Sequence, residues 1–174
     1  MNVDALLKTH LRDIKDFPKP GIVFKDLTPL LLDAKAWKQV CDALAEPFAG
    51  TKVSRVCGIE SRGFLYGVAV AERLGVGFVP VRKPGKLPAK TVRETYALEY
   101  GQDSLEMHQD ALVAGQDVLV VDDLLATGGT AAAACRLVER LGAKVHACAF
   151  AVELGFLKGR SKLEGRKIVS LVTY

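Results

Sequence analysis

The chain has no apolar run long enough to cross a bilayer, and its N-terminus carries acids and a lysine where a secretion signal would need an apolar stretch. A soluble, cytoplasmic protein is therefore expected. Cysteine is scarce: Cys41, Cys57, Cys135 and Cys148 form no Cys-x-x-Cys pair and have no histidine at metal-ligand spacing. They read as buried thiols of a reducing compartment and not as a disulfide or zinc framework. His10, His108 and His146 likewise have no carboxylate or cysteine at an interpretable spacing, which leaves them structural or surface residues. Charge of one sign is also scarce, since 24 Lys and Arg oppose 20 Asp and Glu for a net +4. No basic stripe accompanies that excess, which argues against nucleic-acid binding and fits a small polyanionic substrate. No Ser/Pro-rich linker, low-complexity tract or fixed-period repeat divides the chain, so one domain over residues 1–174 is expected.

The stretch that carries chemistry is Val118-Leu119-Val120-Val121-Asp122-Asp123-Leu124-Leu125-Ala126-Thr127-Gly128-Gly129-Thr130. Its β-branched apolar start is too short for a helix and reads as a strand buried on both faces of a parallel sheet. Asp122 and Asp123 mark the carboxyl end, the edge of an open α/β sheet where ligands bind. The alanine-rich segment from Thr130 to Leu141, closed by Gly142, supplies the next helix. Thr127 to Thr130 would form its first turn, where free N–H groups and the positive end of the dipole favour a phosphate. Gly128 and Gly129 let the backbone approach the anion, and the two threonines add hydroxyl donors. The carboxylates cannot bind that phosphate; they suit a ribose diol or the water shell of Mg²⁺.

Elsewhere the chain alternates strands and helices. Helices are expected over 2–14, 34–48, 63–74 and 128–141, and strands over 53–59, 76–81, 118–122, 143–152 and 168–172, with Trp37 a packing residue of the second helix. Such alternation predicts an α/β fold, a mainly parallel sheet flanked by helices. Residues 83–107, with Pro84, Gly85, Pro88 and Gly101 among charges and tyrosines, predict a long, partly stranded loop or hairpin of the lid type. Two further strand ends carry cationic tips: Glu60-Ser61-Arg62-Gly63, and Arg82-Lys83 followed by Lys86. Ser61, Arg62 and the N–H groups opening helix 63–74 can hold a diphosphate.

The order of strand, two acids and a Thr-Gly-Gly-Thr turn resembles the 5-phosphoribosyl 1-diphosphate (PRPP) signature of the type I phosphoribosyltransferases. Four further stretches look like the adenine-specific branch of that family: Phe17 to Pro29, Gly58 to Phe64, Arg82 to Pro88, and Leu98-Glu99-Tyr100-Gly101. With Val152-Glu153-Leu154, the similarity runs from about residue 12 to about residue 160.

The resemblance implies transfer of the phosphoribosyl group from PRPP to adenine, giving AMP and diphosphate in purine salvage, with Mg²⁺ required and a homodimer as the usual assembly. It implies a hood over residues 1–33 in which Val23 and Lys25 pair with adenine through the main chain, while Phe24 stacks on the ring with Leu154 opposite. Ala126 and Thr127 to Thr130 would hold the 5′-phosphate, and Asp122 and Asp123 the ribose hydroxyls and Mg²⁺ waters. Ser61, Arg62, Arg82, Lys83 and Lys86 would bind the diphosphate, and Glu60 would belong to the substrate-binding set. Glu99, placed with Tyr100 on the flexible loop 83–107, would be the acid/base group, unless no side chain takes the N9 proton and loop closure acts through water exclusion alone. Lys25 stands where many members carry Arg, which matters little for a main-chain contact. Two rivals remain: an enzyme of the same fold acting on a 6-oxo purine, and a PRPP-sensing regulator that binds nucleic acid, for which the chain has neither an appended helix-turn-helix nor a basic stripe.

Overall fold

The computed structural model describes residues 3–97 and 101–174. A five-stranded parallel sheet is built from β3 (Val53–Ile59), β4 (Gly77–Val81), β7 (Asp117–Leu125), β8 (Lys144–Glu153) and β9 (Ile168–Thr173), in the order β4-β3-β7-β8-β9. Two short antiparallel pairs stand beside it: β1 (Arg12–Lys15) with β2 (Val23–Asp26), and β5 (Thr91–Ala97) with β6 (Gln102–His108). The helices are α1 (Val3–His10), α2 (Thr28–Leu32), α3 (Ala34–Ala45), α4 (Arg62–Leu74) and α5 (Gly129–Arg140).

Strand β7 is buried on both faces, as its apolar run predicts. Val118 and Val120 join one core cluster, with α5 and the β5–β6 hairpin, while Leu119 and Val121 join the other, with α1, α3 and α4. The alanines at 131–134 are all buried, so α5 sits close on the sheet. The strand order reverses between β3 and β7, because β3 leads to β4 on one side while β7 leads to β8 on the other. Loops leaving β3 and β7 therefore diverge and open a crevice at their carboxyl ends.

Two boundaries differ from expectation. The first helix stops at His10, because Arg12–Lys15 pairs with Val23–Asp26. That pairing is fastened by Arg12 on Asp26 (2.6 Å) and Lys25 on Asp13 (2.7 Å). Strand β7 does not end at Asp122. It runs on to Leu125, paired with Glu153 of β8, so both aspartates lie within the strand. Within 83–107, as expected, the described residues include an antiparallel strand pair, β5 with β6. All four cysteines are buried free thiols. Among the described residues no helix is long and apolar enough to cross a membrane.

Candidate active site

Helix α4 follows β3 and α5 follows β7, so two helix N-termini sit side by side at the point where the strand order reverses. Neither has a side-chain cap: Ser61 and Gly128, at the capping positions, make no side-chain hydrogen bond there. Apart from the Phe64 N–H, which bonds the Ser61 carbonyl (3.1 Å), their first-turn N–H groups are left for an anion. A cavity of ≈ 80 Å³ lies before α5, lined by Asp122, Leu124, Ala126, Thr127, Gly128 and Thr130. That space, at a helix N-terminus, suits a phosphate. Gly128 has φ +78°, and a Cβ there would lie 2.2 Å from the Gly159 carbonyl oxygen. Only glycine fits that position.

The two aspartates are not equivalent. Asp122 lines the cavity, and its Oδ1 accepts the Asp123 N–H at 2.9 Å. A Cβ on Gly63 would come 2.6 Å from the same oxygen, so this glycine admits Asp122 to the first turn of α4. Asp123 is 4% exposed and faces Arg62, whose Nε lies 2.7 Å from Oδ2. That ion pair is poorly aligned, since Oδ2 is buried and accepts no hydrogen bond. The Tyr66 hydroxyl, also buried without a hydrogen bond, carries a phenol pushed up by burial and then by the Asp123 charge. Burial raises both carboxyls above the ordinary range; for Asp122 the charge of Asp123 adds to it, and for Asp123 Arg62 opposes it. One guanidinium thus serves a half-buried and a buried carboxylate, which is the electrostatic setting for a cation or for hydroxyl donors. Among the described residues no three His, Cys, Asp or Glu side chains group to hold a metal ion. The pair fits Mg²⁺ carried in by a substrate and its waters, in keeping with that ion's preference for few protein ligands.

The cationic strand ends are engaged within the protein. Glu60 accepts the Lys83 N–H (2.9 Å) and the Arg82 side chain (Nε 3.2 Å), and these contacts hold its carboxyl below the ordinary range although burial opposes them. Arg62 also lies 5.1 Å from the Phe24 ring centroid, which joins the acidic pair to the hood. Lys83 bonds Asp103 and, at 3.3 Å, the Tyr96 hydroxyl. Ser61 and Lys86 are exposed. In the β1–β2 hood, Val23 is 48% exposed and Phe24 meets Phe17 edge to face at 5.2 Å. Lys25 Nζ bonds Asp13 and lies 4.3 Å from the Tyr174 ring centroid. Leu154 is buried, its N–H bonded to the Leu125 carbonyl (2.9 Å) just beyond the acidic pair. Glu99 and Tyr100 lie outside the described residues.

Sequence reasoning missed Tyr96 and Asp103. They are cross-strand partners in the β5–β6 hairpin, and the Tyr96 hydroxyl donates to Asp103 (3.2 Å) and accepts from Thr130 (3.3 Å). A chain of polar contacts thus runs from Thr130, in the turn that opens α5, through Tyr96 and Asp103 to Lys83. It depends on hairpin register, which residue spacing alone does not give.

A profile described as "Phosphoribosyl transferase domain" matches residues 30–172. The chain is 56% identical over 165 residues to the adenine phosphoribosyltransferase of Desulfitobacterium hafniense, covering 95% of each. The crystal structure of the adenine phosphoribosyltransferase of Thermoanaerobacter pseudethanolicus superposes with a TM-score of 0.94 at 55% identity, covering 97% of this chain and 98% of that one. The Saccharomyces cerevisiae enzyme, complexed with an imino-altritol bisphosphate and adenine, gives 0.92 at 45% identity, with 97% of this chain and 98% of that one covered.

Proposed function

We infer the chemistry from the premise that the chain belongs to the adenine phosphoribosyltransferase family: it transfers the 5-phosphoribosyl group of PRPP to adenine, giving AMP and diphosphate in purine salvage. The observation that carries the residue assignments is the pairing of a buried, under-compensated Asp122–Asp123 with an uncapped helix N-terminus across one small cavity.

In this reading the α5 turn, Ala126 to Thr130, holds the 5′-phosphate, and Asp122 and Asp123 take the ribose hydroxyls. Breaking the C1–O bond leaves positive charge on the sugar and negative charge on the departing diphosphate. Asp122, the carboxylate on the cavity, faces the first. Ser61, Arg62, Arg82, Lys83 and Lys86 receive the second, with Glu60 holding Arg82 and the Lys83 N–H in place. Lys83 must exchange Asp103 for a diphosphate oxygen, which replaces one anion by another at the same ammonium. Asp122 and Asp123 would hold Mg²⁺ through PRPP and water, and the ion would supply positive charge against the diphosphate. Within 83–107, whose β5 and β6 strands are packed in the core, the part bearing Glu99 and Tyr100 serves in this reading as the lid that excludes water, which would otherwise hydrolyse the activated sugar.

Val23 and Lys25 pair with adenine through the main chain, with Phe24 and Leu154 on its two faces. A donor-acceptor pair of that kind disfavours a 6-oxo purine, which reverses the pattern and leaves buried groups unpaired. In a diphosphate-release assay, adenine is therefore expected to exceed hypoxanthine and guanine in kcat/KM on the order of a hundredfold or more. Equal use of hypoxanthine would refute the hood assignment.

Glu99, with Tyr100, is assigned the proton on adenine N9. Glu99→Ala and Glu99→Gln are each expected to lower kcat about 10²-fold, the usual contribution of a general acid or base. Near-normal turnover in both would leave the lid only the exclusion of water. We further assign a homodimer in the cytoplasm; exposed Leu31, Leu65 and Val68 form an apolar face on α2 and α4 that a second copy would cover.

A further inference from the structure

Beyond β8 the chain makes a tight strap, residues 155–163, of two 3₁₀ turns joined at Lys158, which has φ 54°. The strap packs backbone to backbone on the turn that opens α5. A Cβ on Gly159 would lie 2.2 Å from the Ala126 carbonyl oxygen and 3.1 Å from the Gly128 nitrogen, and the reciprocal Cβ on Gly128 would strike the Gly159 oxygen. No side chain separates the two segments, so a shift of one moves the other.

The strap is fixed from behind by a buried carboxylate. Glu153, 4% exposed, takes a two-pronged contact from Arg160, Nε to Oε1 at 2.7 Å and Nη2 to Oε2 at 2.8 Å, and accepts the Ser170 hydroxyl at 2.7 Å. Arg160 directly follows Gly159, and Ser170 lies on β9. Leu163, 1% exposed, anchors the far end in the core beneath α5. A paired guanidinium and carboxylate is rigid in direction as well as strong, and Lys cannot reproduce its fork.

We propose that Arg160, with Glu153 and Ser170, is a positioning residue for PRPP: the locked strap presses Gly159 against Ala126 and Gly128 and so sets where the N–H groups of the phosphate turn point. The assignment rests on the reading that Thr127 to Thr130 hold the 5′-phosphate. A cradle displaced by a fraction of an ångström loses affinity for phosphate and leaves the base and ribose contacts intact.

The test compares AMP with adenosine, which differ only in the phosphate, by calorimetric titration of the full-length protein. Gly159→Ala and Arg160→Gln are expected to weaken AMP on the order of tenfold or more with adenosine unchanged, and Arg160→Lys to fall between them and the parent. The paired substitution Thr127→Ala with Thr130→Ala tests the underlying reading, since it should narrow the same AMP-to-adenosine ratio. If it does so while the strap variants leave the ratio unaltered, or lose both ligands equally, the positioning role is wrong. If the threonine pair leaves the ratio untouched, the phosphate assignment itself is wrong and the strap proposal goes with it. Should Gly159→Ala fail to fold, Arg160→Gln and Ser170→Ala decide the matter, with melting temperatures reported beside the affinities.

Discussion

Replacing both carboxylates by amides, Asp122→Asn together with Asp123→Asn, is expected to lower kcat/KM for PRPP by about 10³-fold, or roughly 4 kcal/mol of transition-state stabilisation. The same change should stabilise the free protein. Burial raises both carboxyls above the ordinary range, the Asp123 charge raises Asp122 further, and Arg62 only partly offsets the penalty on Asp123. A carboxyl whose proton affinity is higher folded than unfolded costs stability above its folded pKa, and that cost disappears as pH falls toward the unfolded value. At neutral pH the amides remove the penalty, and a rise in melting temperature of roughly 2–4 °C corresponds to about 1 kcal/mol in a chain of this size. In the proposed assignment PRPP with Mg²⁺ favours the ionised pair, so binding should release protons above the ordinary carboxylate range, and the release should vanish in the amide variant. Calorimetry in buffers of differing ionisation enthalpy measures it. Asp26 behaves in the opposite sense: the Thr28 N–H and Arg12 hold it at about 2, so its contribution persists until strong acid. A variant that lost stability along with activity would contradict the electrostatic account.

Gly128→Ala should be the most damaging single-methyl change in the molecule. It places a side chain at φ +78° and 2.2 Å from a carbonyl oxygen, both of which the backbone must relieve by moving. A loss of roughly 2–4 kcal/mol in stability is expected from the two effects together. With it should come a fall of about 10² in kcat/KM for PRPP, because the N–H groups proposed to hold the phosphate move with the turn. Gly50→Ala is the control. Gly50 also has positive φ, at +70°, but a Cβ there meets nothing within 4 Å. That variant should lose only about 1 kcal/mol and keep its activity. Chemical denaturation of both variants, beside steady-state rates, separates conformational cost from the clash.

The parts of the molecule legible in the sequence are those whose signal is local. Val118 to Val121 are apolar and mostly β-branched because both faces of the strand are covered, and the glycine and threonine turn announces the start of a helix; both appear as read. The strand's run to Leu125 was hidden because Asp122 and Asp123 look like a terminus, whereas pairing with Phe150 to Glu153 carries the ladder past them. The inequality of the two aspartates was hidden too. Only the placement of Arg62 and Gly63 on α4 shows that one carboxylate borders the cavity while the other is buried against a guanidinium. Tyr96, Asp103 and Arg160 gave no signal, since each acts through a partner whose proximity is set by hairpin register or by the return of the chain beside β8. The helix expected to residue 14 ended at His10 because Arg12 and Asp13 found cross-strand partners, an outcome that helical periodicity cannot foresee.

A crystal of the protein soaked with AMP tests the phosphoribosyl assignment most directly. The nucleotide's phosphate should lie within hydrogen-bonding distance of the N–H groups of Thr127 to Thr130, its ribose hydroxyls on Asp122 or Asp123, and its base under Phe24. Phosphate bound away from that turn, or ribose turned from both aspartates, would contradict the account.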